Sequence, residues 1–196
     1  MKLHGIPASQ ASRCLWALEE LGLEFELLLA RPRVETHTRT FEALNPNRKV
    51  PVLVDGDVVV WESMAINFYL AERYGEWLWP HDPGHRAEVL QWSFWVANDV
   101  EPYLWRMWQE ADTEAEAPLR RALSMLDAVL EGREWIVGES FTLADLHLES
   151  YIVRARRGGY RLRDHRWLYG WIERCEARPA RRRVRDMIRA YDGENE

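Results

Sequence analysis

Residues 49–63, KVPVLVDGDVVVWES, decide how this chain is read. An X-Pro bond precedes a strand, a tight Asp-Gly turn follows, a second strand comes next, and a Glu-Ser pair stands where a helix should begin. Pro51 can adopt the cis bond that only X-Pro tolerates cheaply, at about 0.5–1 kcal/mol relative to trans. A cis bond there would turn the N–H and C=O of Val50 outward, where an extended ligand could pair with them as an added strand. Asp55-Gly56 is a two-residue hairpin signal joining Pro51–Val54 to Val58–Trp61. Glu62-Ser63 then sets free helix-start N–H groups beside a hydroxyl, a ready carboxylate site. The stretch as a whole describes a place to hold a small anionic peptide by its backbone.

Working outward, the first 75 residues alternate short strand and helix patterns. Lys2–Gly5 reads as a first strand. Ser12–Leu21 reads as a helix with Leu15, Leu18 and Leu21 on one face, closed by Gly22. Phe25–Leu29 is a second strand and Phe41–Leu44 a short helix. After the hairpin, Ser63–Tyr74 reads as a helix stopped by Gly75. The order is β-α-β-α-β-β-α. From Trp79-Pro80 to Pro83-Gly84, Pro and Gly read as a linker. Everything beyond has helical periodicity, over about 85–110, 116–131, 143–157 and 167–177, with a short last piece near 180–190. The expected organisation is an α/β domain over 1–78, a linker over 79–85 and an all-α domain over 86–196. In that second half Thr142 can cap a helix while Asp145, three residues on, reaches back to the cap's own N–H. Phe141 and Leu146 take the staple positions, and the role of Asp145 is structural.

The run Leu44-Asn45-Pro46-Asn47-Arg48-Lys49-Val50-Pro51-Val52-Leu53, followed by Trp61-Glu62-Ser63-Met64-Ala65-Ile66 and Tyr69-Leu70, resembles the glutathione-binding half of cytosolic glutathione transferases. The Thr142–Asp145 capping box and Arg178-Pro179-Ala180 near the end match family features too, so the likeness covers essentially the whole chain. The resemblance implies a thioredoxin-like N-terminal domain followed by an all-helical C-terminal domain. It also implies glutathione as cosubstrate, a small hydrophobic electrophile as second substrate, a homodimer and a cytoplasmic location.

Residue by residue, the segment Gly5–Arg13 resembles the Ser-type transferases, whose hydroxyl after the first strand hydrogen-bonds the glutathione sulfur. Aligned without gaps, Ser9 takes that position, and Ser12, one helical turn on, is its rival. The physics suits a hydroxyl. A free thiol has a pKa near 8.5, and each unit of lowering needs about 1.36 kcal/mol of selective anion stabilisation. A hydrogen bond to a charged acceptor supplies about 1.5–3 kcal/mol, and a helix N-terminus about 0.3–1 kcal/mol more. That is enough to make thiolate the dominant form, with Ser as a donor to sulfur, neither base nor nucleophile. For glutathione binding the resemblance implies Val50 and Pro51 (backbone pairing), Glu62 and Ser63 (the γ-glutamyl end), and Arg48 or Lys49 (the glycine carboxylate). Some relatives carry Arg after the Glu-Ser pair; this chain has Met64 there, and Arg13 is a further candidate cation. The helix over 85–110 lines the electrophile pocket and the dimer interface in the family, which points to Asn98, Pro102, Tyr103 and Arg106 as pocket residues.

Composition narrows the remaining classes. With 196 residues, 47% hydrophobic and 30% charged, the chain reads as an ordinary globular protein. No run of 18 apolar residues exists, so no membrane partner is expected. Cys14 and Cys175 form no close-spaced motif, and His81 and His85 flank a turn, so no metal site is expected. Half of the 26 basic residues but only seven of the 32 acidic ones lie after residue 150. The run Arg154, Arg156, Arg157, Arg161 and Arg163 reads as a solvated face rather than a nucleic-acid site. Two other readings stay open: dehalogenation, isomerisation or peroxide reduction by the same thiolate, and a non-catalytic scaffold like the stringent starvation proteins or the gamma subunit of a translation elongation factor.

Overall fold

The structure is a computed structural model that describes residues 1–194, with only the backbone described at Arg157, Gly158 and Glu194. The first unit contains four strands, β1 (Lys2–Gly5), β2 (Glu26–Leu29), β3 (Val52–Asp55) and β4 (Val58–Trp61), in the sheet order β2-β1-β3-β4. β1 pairs parallel with β2, while β3 runs antiparallel to both β1 and β4. Its helices are α1 (Ala11–Glu20), α2 (Arg39–Leu44) and α3 (Ser63–Tyr74). This is the thioredoxin-like arrangement the order of patterns implied.

Helix α1 is the core of this unit. Cys14, Leu15, Trp16, Ala17 and Leu18 are all fully buried, the result of an apolar stripe on good helix formers. Its end is fixed by Gly22 at φ 63°. Gly22 N–H donates to the Glu19 carbonyl (3.3 Å) and Leu23 N–H to that of Leu18 (3.1 Å), the paired bonds of a Schellman stop. At its other end, a Cβ on Gly5 would lie 2.6 Å from Cβ of Ala11, so only glycine lets β1 and α1 approach this closely.

The hairpin differs from expectation by one residue. Asp55 pairs with Val58 inside the ladder, and the two-residue loop is Gly56-Asp57, with Gly56 taking φ 60°. Asp55 is held in the strand by its side chain, which accepts from the hydroxyls of Tyr69 (2.9 Å) and Tyr74 (2.5 Å) on α3. Those two hydrogen bonds, the Tyr74 one foremost, keep its carboxyl below the usual range. β3 also starts one residue late, at Val52, because Pro51 has no N–H to give the ladder.

The helical unit contains α4 (Pro83–Trp95), α5 (Glu101–Gln109), α6 (Glu116–Val129), α7 (Leu143–Ile152) and α8 (Arg166–Ala177). The expected helix over 85–110 is in fact α4 and α5 joined by a π-helical turn, Val96–Val100. Pro83 and Gly84 do not belong to a linker. Asp82 caps α4 by accepting from His85 N–H (2.8 Å), and Pro83 takes a first-turn position where its missing N–H costs nothing. The expected helix over 143–157 stops at Ile152 and continues as 3-10 turns through Val153–Gly158. Every residue of α7 is buried. Its capping box forms as expected, and Asp145 does more than cap. Its carboxylate also accepts from Ile136 N–H (3.0 Å) and the Trp171 indole (2.8 Å), which ties α8 and the preceding loop to α7.

The domain division also differs from the expected 1–78, 79–85 and 86–196. One compact unit is Met1–Glu76 together with the chain from Arg178, and the other is Trp77–Ala177. Leu78 is buried, and its carbonyl accepts from Leu143 N–H (3.1 Å), which places it in the helical unit. The last helix, α9 (Pro179–Glu194), packs on α1. Arg178 donates from Nε and Nη2 to both carboxylate oxygens of Glu20 (2.6 and 2.8 Å), Trp16 Nε1 donates to the same carboxylate (2.8 Å), and Arg183 reaches Glu19 (2.5 Å). Among the described residues no helix is long and apolar enough to cross a membrane.

Burial pushes the Asp145 carboxyl up to about 6 against the pull of its hydrogen-bond donors. A raised native value means the folded chain holds the proton over a range where the unfolded chain has lost it, so this group's contribution to stability falls as pH rises from about 4 to 6. Asp145→Asn is expected to cost about 2–4 kcal/mol at neutral pH, since the cap is weakened and buried donors lose an acceptor. In paired denaturation curves at pH 4 and pH 6.5, the gap between parent and variant should be larger at the lower pH. A gap that widens on raising the pH would contradict the sign.

Candidate active site

Three chain segments reach one end of the sheet because of its register. His4 pairs with Val52, and Val52 pairs with Trp61. The end of β1, the start of β3 and the end of β4 therefore lie in a row, and the residues that continue from them are Ile6–Gln10, Val50-Pro51 and Glu62-Ser63. Gly5 marks the meeting point, with Cβ atoms of Ala11, Val50 and Pro51 all within 4.0 Å of where its own would stand.

The middle segment presents the backbone rung. The Val50–Pro51 peptide bond is cis. Val50 lies outside the ladder, and among the described residues nothing hydrogen-bonds its N–H or C=O. The loop before it is shaped by Asn45, which is buried: its side chain donates to the Lys49 carbonyl (2.7 Å) and accepts from Asn47 N–H (2.9 Å). Asn45 is a functional residue with a local signal, since Asn-Pro-Asn is a turn sequence whose side chains bond nearby backbone. Of the two candidate cations here, Arg48 is already paired with Glu42 (2.6 Å). Lys49 is exposed and pairs with no carboxylate among the described residues.

The third segment is the start of α3. Glu62 occupies the N-cap at φ 72° and ψ 118° without a side-chain capping bond. An L-residue is strained there by about 1–3 kcal/mol, and strain of this kind collects at functional sites. Its carboxylate is exposed and unengaged among the described residues. Ser63 is 3% exposed, and its hydroxyl accepts from Arg13 Nη1 (3.3 Å). Arg13, itself 1% exposed, thus sits under this helix start. Two more bonds close the α1–α3 seam: Asn67 Nδ2 donates to the Arg13 carbonyl (3.3 Å), and Cys14 Sγ donates to that of Ser63 (3.5 Å). Burial pushes the Cys14 thiol well above its ordinary range, so it stays protonated. Asn67 was not anticipated, because a polar residue on a helix gives no sign of its partner until the two helices pack.

The first segment carries the candidate hydroxyl of Ser9, and the start of α1 beside it carries that of Ser12, both half-buried. Ser9 Oγ donates to the Ile6 carbonyl (2.7 Å) and accepts from Ala11 N–H (3.1 Å), so it closes the turn and satisfies the first N–H of α1. Ser12 Oγ makes no hydrogen bond among the described residues, although its N–H donates to Ser9 O (3.1 Å). The suggested electrophile residues lie in the helical unit. Asn98 is exposed in the π-helical turn, Pro102 is exposed and Tyr103 half-buried on α5. Arg106 is committed elsewhere, donating from Nε to Asp112 (2.8 Å), whose other oxygen caps the next turn at Glu114 N–H (2.9 Å).

Comparison with known proteins gives this geometry its class. Residues 1–72 match the glutathione S-transferase N-terminal domain family, and residues 96–179 match the C-terminal domain family. Glutathione S-transferase GstB of Escherichia coli is 31% identical over 193 residues, covering 90% of this chain and 93% of its own length. Glutathione S-transferase F14 of Arabidopsis thaliana is 32% identical over 204 residues, covering 92% of this chain and 80% of that protein. The crystal structure of glutathione transferase URE2P8 from Phanerochaete chrysosporium with oxidized glutathione has a TM-score of 0.88 at 27% identity, covering 98% of this chain and 96% of that one. The chain belongs to the glutathione S-transferase family. It has that family's two-part fold, a mixed four-stranded sheet with its helices and an all-helical part.

The strain at Glu62 separates backbone from side-chain function. Glu62→Gly is expected to raise stability by about 1 kcal/mol, since relief of the unfavourable φ outweighs the added chain entropy. If Glu62 is the partner of the ligand's ammonium, the variant should also weaken glutathione binding by about tenfold. Glu62→Ala should lose the same affinity with no gain in stability. Titration calorimetry and thermal melts read both, and equal stabilities for the two variants would remove strain from the account.

Proposed function

We propose that this chain is a working glutathione transferase. It binds glutathione along Val50, ionises the thiol beside Ser9 and directs the thiolate at a small hydrophobic electrophile. The observation that carries the reading is the row His4–Val52–Trp61, which aligns an uncommitted backbone rung, a pair of hydroxyls and a helix start at one end of one sheet. A tripeptide paired to Val50 as an added strand would meet Glu62 with its ammonium and the N-terminus of α3 with its γ-glutamyl carboxylate. Lys49, having no competing carboxylate among the described residues, suits the glycine end better than Arg48.

Ser9 as sulfur donor requires an exchange of partners. Its hydrogen bond to the neutral Ile6 carbonyl would give way to one with a thiolate. A neutral bond nets about 0.5–1.5 kcal/mol and a bond to a charged group about 1.5–3, so the exchange is favourable once the sulfur is ionised. Ser9 Oγ also sits on Ala11 N–H, at the positive end of α1, where an adjacent anion gains from the helix dipole. The thiolate needs no metal. Catalysis consists of ionising it and of positioning the two reactants. Asn98, Pro102 and Tyr103 are the proposed electrophile contacts, and Arg106 drops to the role of a structural tie.

The exposed Val58, Val59 and Trp61 on edge strand β4 support a homodimer, because an open apolar edge is a surface that a second copy would cover. Two buried free thiols, Cys14 and Cys175, support a reducing, cytoplasmic setting.

Ser9→Ala is expected to lower turnover of a generic aryl halide by about 10- to 100-fold with glutathione affinity within a few-fold. The bound thiol should titrate one to two units higher, as read by thiolate absorbance. The same pattern from Ser12→Ala instead would transfer the role to the hydroxyl that is uncommitted here. A parent protein that neither binds immobilised glutathione nor turns over would return the scaffold reading. Sedimentation of Val59→Lys as a monomer, with the parent a dimer, is the outcome expected for the homodimer.

A further inference from the structure

Helix α5 is bracketed by two backbone irregularities and carries a single cation. The π-helical turn Val96–Val100 leads into it, and Ala111, just past its end, takes φ 49°, which a residue with a side chain adopts only under strain. Features of both kinds gather at ligand sites. Among residues 87–119 seven are acidic, and Arg106 is the only basic one. Pro102, Tyr103 and Arg106, at i, i+1 and i+4, share one face of α5.

That one cation is neutralised within the chain. Arg106 donates from Nε to Asp112 Oδ2 (2.8 Å), and its Nη2 reaches the same oxygen. The backbone fixes Asp112 as well. Its Oδ1 accepts from Glu114 N–H (2.9 Å), and its own N–H, like that of Glu110, donates to the Arg106 carbonyl (3.1 Å each). The Glu114 N–H foremost, and then the Arg106 guanidinium, keep the Asp112 carboxyl below the usual carboxylate range, so it is charged wherever a glutathione thiolate exists. Both side chains stay partly exposed. A ligand at this face therefore meets a neutral pair in an acidic surround.

We propose that Asp112 sets the charge class of the electrophile. By masking Arg106 it makes this helix select an uncharged or cationic aromatic electrophile and reject one that bears a carboxylate. This rests on the reading of α5 as the electrophile side of the site. Tyr103 offers the aromatic contact. Rejection follows because a carboxylate placed there loses water, gains no cation and faces like charge. Asp112 acts through Arg106 and touches no substrate itself, so it is a positioning residue.

The test compares kcat/KM of the full chain for chlorodinitrobenzene and for chlorodinitrobenzoate, each divided by its uncatalysed rate with glutathione. The ratio of the two does not depend on the amount of folded enzyme. In the parent it should favour the neutral halide by about tenfold or more. Asp112→Asn, whose amide oxygen can still accept from Glu114 N–H, frees the guanidinium. It should raise the ratio for the benzoate by about five- to tenfold, mainly through KM. That gain should shrink at about 1 M salt. Arg106→Gln/Asp112→Asn keeps a hydrogen-bonded pair without charge and should return the parent ratio. An unchanged ratio in Asp112→Asn, an equal gain in the double variant, or a parent that takes both halides alike would overturn the inference and leave the transferase reading intact. A parent that turns over neither halide overturns the transferase reading, and the charge selection with it.

Discussion

Antiparallel pairing of β3 with both of its neighbours is the constraint from which the site follows. Because β1 and β4 run opposite to β3, the point where β3 begins is also the point where the other two end, and the row His4–Val52–Trp61 records that register. A one-residue slip would turn each strand's buried face outward. It would also separate Val50 from the two segments that must flank a ligand bound to it. Tyr69 and Tyr74 guard against such a slip by holding Asp55 in the ladder from α3.

Helix α1 links this constraint to the chemistry. Its N-terminus is where Ser9 closes the turn, its first turn carries Arg13 beneath Ser63, and its C-terminal residues Glu20 and Glu19 are held by Arg178, just before α9, and Arg183 of α9. Few of these bonds are strong alone, and pairs exposed to solvent contribute little. The Glu20–Arg178 pair is better placed, because the Glu20 side chain is 7% exposed and also receives the Trp16 indole. The helix is therefore fixed along its length, and the hydroxyls at its start inherit that rigidity. Glu62 shows the opposite side of the same design, a strained backbone kept because the surrounding contacts determine it.

How much of this could be read beforehand depended on the range of the interaction. The helix Ser63–Tyr74 was legible to the residue because the Glu-Ser start and Gly75 bracket it locally. The Thr142–Asp145 box was legible for the same reason. The hairpin loop was read one residue early, since Asp-Gly is a good turn pair and only the two distant tyrosines keep Asp55 in its strand. The linker was overextended because Pro-Gly breaks helices in general, yet here Asp82 turns Pro83 into a helix start. The break between α4 and α5 did have a local signal, Pro102 in the first turn of α5, which the run of periodic aromatic residues masked.

The sequence by itself determined the alternation of strands and helices, the family, and the three short segments from which the site is built. All of these rest on contacts within a few residues, where residue type alone sets the backbone. Only the tertiary structure decided which side chains are already engaged. Arg48 is held by Glu42, Arg106 by Asp112 and Ser9 by Ile6, while Ser12 and Lys49 are left open. It alone also assigned α9 to the first unit, through ion pairs between residues more than 150 positions apart. The availability of a polar group depends on what packs beside it, and that neighbour is brought in by the fold from parts of the chain that local pattern cannot reach.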